Sequence, residues 1–367
     1  MNIVLIEPYF TGSHKNWAVG LQKHSSHTIE LLTLPGSFWK WRMHGGAVTL
    51  ARMFMESGLS PDLILATDML DVSTFLSLTR TKTAKIPNCI YFHENQLSYP
   101  WSPTDRDVQT KRDIHYGFIN YISALSSDIV LFNSHYHMDS FLNEIPVMLK
   151  SFPDHNELDS IHKIKDKSKV LYLGLDLNRF DKYKTKQKNS IPIILWNHRW
   201  EYDKNPEDFF HVLEVLANKN LDFKIVILGE NFKEKPEIFL KSKKKFTEQI
   251  IHFGYAKSFT EYAKWLWKAD ILPVTSHHDF FGSSIMEAIY CGVFPILPKR
   301  LSYPELIPEK SHGEILYNNS DKLVEKIESI MSNKPIIERK ELQKISSKYD
   351  WRNIIKLYDD IFEGIVR

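Results

Sequence analysis

Residues 271–297 read ILPVTSHHDFFGSSIMEAIYCGVFPIL. Ile271–Thr275 is a short apolar run rich in β-formers, and Val293–Leu297 is another. Runs of this kind are the mark of strands buried on both faces of a parallel sheet. Between them Ser283–Cys291 has helical spacing, and Gly292 stands where a left-handed residue ends a helix. The polar stretch from Ser276 to Gly282 joins the first strand to that helix. Strand, polar loop, helix, glycine and strand make one βαβ unit, and such units build doubly wound α/β sheets.

The same texture extends in both directions. Upstream, Ile191–Trp196, Phe223–Leu228 and Ile250–Phe253 read as strands, and Asn205–Ala217, Pro236–Phe246 and Ser258–Lys268 as helices. Further toward the N-terminus, strands are expected at Asn2–Glu7, His27–Leu34, Asp62–Ala66, Asn88–Phe92, Asp128–Phe132 and Val170–Leu173. Helices are expected at Ala47–Glu56 and Asp107–Ser126. The decamer Asp181–Ser190 (DKYKTKQKNS) has no periodicity and reads as a linker or domain-edge loop. Asp350–Ile365 reads as an amphipathic helix with Asp350 at its N-cap. A length of 367 residues suits two domains at roughly 150 residues each. The expectation is two Rossmann-like domains, 1–180 and 181–349, followed by a helix over 350–367.

Composition narrows the class. Hydrophobic residues are 43% and charged residues 25%, which fits packed cores and not extended disorder. Two cysteines, Cys89 and Cys291, cannot make a disulfide framework or a cysteine-based zinc site. No apolar run reaches the ~18 residues of a membrane span, and MNIVLIEPYF lacks a basic leader, so a cytoplasmic, non-membrane protein is expected. The net charge of +2 leaves nucleic-acid binding open, because local patches hide in a neutral total.

In open α/β sheets ligands gather at the carboxyl ends of the strands, so those loops carry the candidate chemistry. Asp279 and Glu287 flank a Gly282-Ser283-Ser284 turn that opens a helix. Its amides suit phosphate oxygens, and the acids suit sugar hydroxyls. HRWEYDK places Arg199 and Lys204 on one loop, able to converge on a diphosphate or to stand apart as two solvated cations. His93-Glu94-Asn95 follows the strand ending in Phe92 and is either a site or a structural polar cluster. Gly12-Ser13-His14-Lys15 is either an anion-cradling turn or an ordinary glycine turn. His135-Tyr136-His137 lacks a third ligand at a zinc spacing and reads as structural or phosphate-adjacent. Phe38-Trp39-Lys40-Trp41-Arg42 reads as a loop, with aromatics interleaved among cations. Such a loop can stack on bases while neutralising phosphates, or simply pack on the domain edge. The lysine runs at 241–245, 163–169 and 80–85 read as solvated surface.

DFFGSSIMEAIYCG with HRWEYDK upstream resembles the retaining GT-B glycosyltransferases of the family-4 type. EPYFTGSHKNW, YFHENQLSYP, LFNSHYHMDSF, HRWEYDKNPEDFF and FFGSSIMEAIYCGVFPILPKRLSYPE, in that order from residue 5 to about 308, resemble the tRNA-queuosine mannosyltransferases. The resemblance implies two facing domains, an acceptor-binding one first and a donor-binding one second, with the last helix returning to the first. It implies that Arg199 and Lys204 neutralise the leaving diphosphate, that Glu287 takes the ribose hydroxyls, and that Asp279 takes the transferred sugar. At that last position the wider family usually has Glu. His93 is implied near the anomeric centre, and Gly229, Tyr255, Gly282, Ser283 and Ser284 around the donor. Gly12 and His14 are implied on the acceptor side. Beside them Ser13, Lys15, Glu94, Asn95, Trp39, Lys40, Trp41 and Arg42 are expected to meet the acceptor, with the 38–42 segment, Lys15 and Arg112 framing the mouth. The implied donor is GDP-mannose, the acceptor queuosine in a tRNA of the Asp type, and the cofactor and metal none; the sequence leaves the oligomeric state open, with a monomer as the default. Two alternatives remain at this point: a GT-B enzyme with a glycan, lipid or small-metabolite acceptor, and a non-catalytic nucleotide-sugar or RNA-binding protein.

Overall fold

The computed structural model describes residues 1–102, 105–109, 114–185, 189–229, 236–332 and 337–366. The chain forms two compact units, one of Met1–Asp176 with Trp351–Arg367 and one of Leu177–Asp350. In the first, β1 (Asn2–Phe10), β2 (Thr28–Pro35), β3 (Leu63–Thr67), β4 (Asn88–Phe92), β5 (Ile129–Phe132) and β6 (Ser168–Val170) pair in the order β2-β1-β3-β4-β5-β6. Every pairing is parallel. In the second, β7 (Ile193–Trp196), β8 (Lys224–Ile227), β9 (Ile250–Phe253), β10 (Ile271–Pro273), β11 (Phe294–Pro298) and β12 (Leu316–Tyr317) pair in the order β12-β11-β10-β7-β8-β9, again all parallel.

The central strands are apolar because helices cover both their faces. β3 (LILAT) and β4 (NCIYF) are buried throughout. Ile64, Ala66, Ile90, Phe92, Val130 and Phe132 pack against Phe54, Phe75, Phe141 and Ile145 from the helices Trp39–Glu56, Val72–Thr83 and His135–Leu149.

The structure departs from the sequence expectations at edges and ends. β6 is Ser168–Val170, not Val170–Leu173, because an edge strand half open to water carries Ser168 and Lys169 where hydropathy sees no strand. The second helix begins at Trp39 rather than Ala47, so Trp39, Lys40, Trp41 and Arg42 lie on a helix and not in a loop. The span Asp107–Ser126 holds two helices, Arg106–Gln109 and Ile114–Ser126, and Arg112 lies outside the described residues. The decamer at 181–190 is no free linker at its start. Asn178–Tyr183 is a 3₁₀ turn around the buried Phe180, and Tyr290 donates to Asp181 at 3.0 Å.

The helix Trp351–Val366 belongs to the first unit. Its Trp351 ring fills a slot shaped by two glycines: a Cβ on Gly20 would lie 2.0 Å from that ring, and one on Gly174 2.5 Å. Tyr358 is fully buried, and its hydroxyl takes hydrogen bonds from Trp17 Nε1 (3.1 Å) and Gly174 N (3.3 Å) and donates to Tyr172 O (2.8 Å). Asp359 accepts from Ser25 Oγ at 2.6 Å and from Ser26 N at 2.9 Å. Tyr358→Phe strands two buried N–H donors and is expected to destabilise the first unit by about 1–3 kcal/mol. Trp351→Ala opens the glycine-lined slot and is expected to cost about 3–5 kcal/mol. Urea unfolding followed by tryptophan fluorescence measures both, and Trp351→Ala should be the more severe.

Candidate active site

Each sheet reverses its winding once. The first unit steps from β1 to β2 and then returns past β1 to β3; the second steps from β7 through β8 to β9 and returns past β7 to β10. At such a switch the loops leaving adjacent strands diverge and open a crevice at their carboxyl ends. Both polar clusters of this chain lie there.

In the second unit β7 runs out through Asn197 and His198. Trp196 Nε1 donates back to His198 O at 3.0 Å. Gly229, just past β8, is required where it stands, since its φ is +105° and a Cβ would come within 1.8 Å of that same carbonyl. The turn Tyr202–Lys204 then buries Lys204. Its Nζ donates to His278 O at 2.7 Å and lies 3.0 Å from Asp203 Oδ2 and 3.6 Å from Asp279 Oδ2. Hydrogen bonds tie the β7 and β10 loops together: His277 N donates to Asp203 O at 2.8 Å, and the Thr275 hydroxyl donates to Asn205 O at 2.8 Å.

Electrostatics follow from this burial. Desolvation opposes ionisation of Asp203, but Lys204 and Arg199 outweigh it and hold the carboxyl below its ordinary range. Burial pushes His198 and His278 down to about 4, with Lys204 adding to the shift, so both rings are neutral at physiological pH. Lys204 is therefore the buried cation of this cluster. Arg199 lies nearer the surface, with its NH1 3.4 Å from Glu201 Oε2.

Gly282, at φ +86°, turns the chain into the helix Ser283–Tyr290. Asn197 Nδ2 donates to Ser284 O at 2.7 Å, and His198 Nδ1 lies 3.5 Å from Ser284 Oγ. Asp279 accepts from Tyr303 OH at 3.2 Å. One helical turn further on, Glu287 accepts from Arg179 NH2 on Oε1 at 3.1 Å and from Tyr262 OH on Oε2 at 2.8 Å. Tyr255, after Gly254 at the end of β9, is 67% exposed.

The first unit holds a different cluster. Glu7 is fully buried within β1; its Oε1 accepts from Tyr9 N at 2.7 Å, and its Oε2 meets His14 Nδ1 at 2.9 Å. Gly12, at φ +50°, starts the helix that carries His14, with Ser13 and Lys15 exposed beside it. Burial disfavours the His14 cation, but Glu7, with Asp68 and Glu94 beyond it, raises its pKa to about 9. The neighbouring His93 ring lies 4.2 Å away and is held well below its ordinary range by burial, by His14 and by His137. A charged and a neutral imidazole therefore stand side by side.

His93 is fixed from three directions. Its N donates to Asp68 Oδ1 at 2.8 Å, its O accepts from Asn133 Nδ2 at 2.9 Å, and Trp17 meets its ring edge-on at 4.7 Å. His137 bonds Asn133 Oδ1 at 2.8 Å, which gives the His135–His137 segment a structural part in the support. Glu94 accepts from Gln96 Nε2 at 3.0 Å. Asn95 is buried, and its carbonyl oxygen holds the turn through Leu97 N and Ser98 N at 3.1 and 2.9 Å. That makes it a builder of the loop.

Among the described residues Glu7, His14 and His93 also offer ligand atoms within 4.8 Å of one another. Two imidazoles on one tetrahedral ion place their ring centres roughly 5 Å apart. These centres are 4.2 Å apart and the rings only 38° from parallel, so the rings would have to part to share an ion.

The segment 38–42 is sharply divided. Lys40 Nζ is bound by Asp105 at 2.6 Å and Asp107 at 2.5 Å, and lies 5.4–5.9 Å from the Trp39, Trp101 and Tyr116 ring centres. Its charge is already answered within the fold by these two carboxylates. Trp39 packs beside Met43, Met69 and Tyr116. Arg42 braces the preceding turn through Pro35 O at 3.1 Å. Trp41 is 63% exposed, and its ring lies along the helix backbone at Gly45, where a Cβ would approach within 2.5 Å.

Sequence reasoning missed Glu7, Asp68, His278, Arg179, Tyr262 and Tyr303. Glu7 had a signal, since an acid inside a fully apolar strand needs a buried partner. Arg179, Tyr262 and Tyr303 had none, because each reaches its acid from a distant part of the chain.

Residues 2–175 match the family described as tRNA-queuosine alpha-mannosyltransferase N-terminal, and residues 178–349 that described as glycosyl transferases group 1. Over 375 aligned residues, 98% of this chain and 96% of the relative, the sequence is 32% identical to the tRNA-queuosine alpha-mannosyltransferase of Drosophila melanogaster. Among solved structures, the sucrose-phosphate synthase of Thermosynechococcus elongatus has a TM-score of 0.70 at 12% identity, over 99% of this chain and 100% of that one. Anabaena Alr3699/HepE in complex with UDP-glucose has a TM-score of 0.68 at 15% identity, over 99% and 100%. The likeness to these structures identifies the architecture as GT-B.

The Glu7–His14 pair makes a pH-dependent contribution. His14 titrates higher when folded than the ordinary 6.5, so the pair's stabilisation is complete below about pH 6.5 and is lost as pH rises through about 9. His14→Gln is expected to flatten the fall in melting temperature between those limits, measured by calorimetry across the range.

Proposed function

Because the chain belongs to the tRNA-queuosine alpha-mannosyltransferase family and is a glycosyltransferase, we propose that it moves mannose from GDP-mannose, with retention of configuration, to the cyclopentene diol of queuosine in a tRNA anticodon. The observation that carries the chemistry is Lys204, a cation buried at the β7/β10 switch beside Asp279 and the start of the helix bearing Glu287.

In this reading Lys204, Arg199 and the amides of Gly282, Ser283 and Ser284 stabilise the diphosphate as the anomeric C–O bond breaks and its electron pair moves to phosphate oxygen. A fixed cation in a dry site needs little reorganisation as that charge grows. The queuosine hydroxyl attacks from the face the phosphate leaves, and its proton passes to the departing phosphate oxygen. The protein's share is placement and charge. Glu287 receives the ribose hydroxyls, Asp279 the mannose, and Gly229 and Tyr255 flank the nucleoside. Neutralisation by Lys204 and Arg199 takes the part a divalent ion plays elsewhere, so no metal is needed.

The first unit receives the acceptor. Gly12, Ser13, His14, Lys15 and Glu94 supply polar groups, and Trp41, flat on its helix at Gly45, offers one ring face to an unpaired base. A tRNA substrate places its action in the cytoplasm. Among the described residues no helix is long and apolar enough to cross a membrane.

Incubation with tRNA from queuosine-making and queuosine-lacking cells, each with GDP-mannose, UDP-glucose or UDP-galactose, tests the reading by nucleoside mass spectrometry. Queuosine should gain one hexose with GDP-mannose alone, and EDTA should leave the rate unchanged. Gain with a UDP-sugar would replace the donor; no gain with any donor would overturn the acceptor. Lys204→Met should lower kcat by roughly 10²-fold or more, the scale set by losing one preorganised electrostatic group.

A further inference from the structure

Glu287 is held before any ligand arrives. Arg179 NH2 donates to one carboxylate oxygen at 3.1 Å and Tyr262 OH to the other at 2.8 Å. Neither residue floats. The Arg179 guanidinium lies 4.1 Å from the Phe259 ring centre and 5.4 Å from that of Phe180. Phe180 is fully buried, its carbonyl takes Trp267 Nε1 at 2.7 Å, and its ring meets Phe259 edge-on at 4.9 Å. Tyr262 sits on the helix Phe259–Lys268, whose N-cap Ser258 accepts from Glu261 N. Two residues beyond Arg179, Asp181 accepts from Tyr290 OH at 3.0 Å, one turn past Glu287 on the same helix. The acid is thus gripped from the 3₁₀ turn Asn178–Tyr183 and from a neighbouring helix, each anchored by its own packing.

We propose that Arg179 and Tyr262 are positioning residues that fix the Glu287 carboxylate, ionised and in one rotamer, for the donor's ribose; this rests on the reading that Glu287 takes the ribose hydroxyls. A Glu side chain left to itself samples several rotamers, and ordering it when ligand binds weakens binding. A guanidinium on one oxygen and a hydroxyl on the other remove that freedom beforehand and keep a carboxylate, not a carboxylic acid, facing the ligand. The phenol's own ionisation is suppressed far above its ordinary value by burial and by Glu287, so Tyr262 remains a donor throughout the working range.

Steady-state kinetics on the full chain, with GDP-mannose and its 2′-deoxy analogue, tests this. Arg179→Met and Tyr262→Phe should each raise the KM for GDP-mannose, Arg179→Met by roughly 10-fold or more, with kcat little changed. Both should also shrink the preference for the ribose over the deoxyribose donor, which a general loss of packing would not do. Arg179→Lys, which keeps the charge, should recover part of the loss. In a Glu287→Gln background Arg179→Met should add little. Full penalties in that background would mean that Arg179 meets the nucleotide itself or serves only the fold, and would overturn the proposal. An unchanged KM in Glu287→Gln alone would instead defeat the ribose assignment on which it stands.

Discussion

The reversal of winding between β1 and β3, and again between β7 and β10, is the constraint on which the rest of this molecule depends. Parallel strands deliver all their carboxyl-end loops to one edge of the sheet. Only where successive connections leave in opposite directions do those loops diverge enough to leave room for a ligand. Both polar clusters, Glu7–His14–His93 and Lys204–Asp279–Glu287, occupy such points. The same reversals bury the central strands and thereby make the ends of those strands dry.

Dryness governs the chemistry of both clusters, in opposite senses. A charge taken from water must be matched, or its proton equilibrium shifts until it is neutral. Lys204 is met by the Asp203 and Asp279 carboxylates, and burial with Lys204 depresses the two histidines beside it, so the second unit presents a buried ammonium flanked by neutral rings. In the first unit an acid fixes the charge of His14 while His93 remains neutral. Lys40 obeys the same rule near the surface of the first unit. Two carboxylates and three rings surround it, and the charge that looks available in the sequence is consumed by the fold.

What the sequence shows is what hydropathy can encode. Strands buried on both faces appear as unbroken apolar runs, so β4 lies at the expected residues, as does the less buried β9, and most others shift by one or two at their ends. Two edge strands escape this reading, the polar β6 and the two-residue β12, while the edges β2 and β9 keep enough apolar residues to be read. The helix start at Trp39 was hidden because two glycines, Gly45 and Gly46, interrupt its early turns. For the site, a local motif such as Asp279 through Glu287 is legible because its members share one loop and one helix. Arg179 lies 108 residues away in sequence from its partner acid, and only the fold brings the two together. The near-neutral total of +2 likewise says nothing about where the uncompensated cations stand.

The slot that Gly20 and Gly174 leave for Trp351 has a bearing on how the protein is made. A chain emerges from the ribosome N-terminus first, and domains begin to fold as they appear. Here residues 1–176 can form their sheet early, but the helix that fills the glycine slot and satisfies Trp17 and Gly174 follows only after the whole second unit has been synthesised. Until then Trp17, which stacks on Tyr91 and borders His93, has an open flank. The nascent first unit therefore waits, incomplete, through translation of the second. The contacts of Trp351 and Tyr358 are thus the last that the first unit makes.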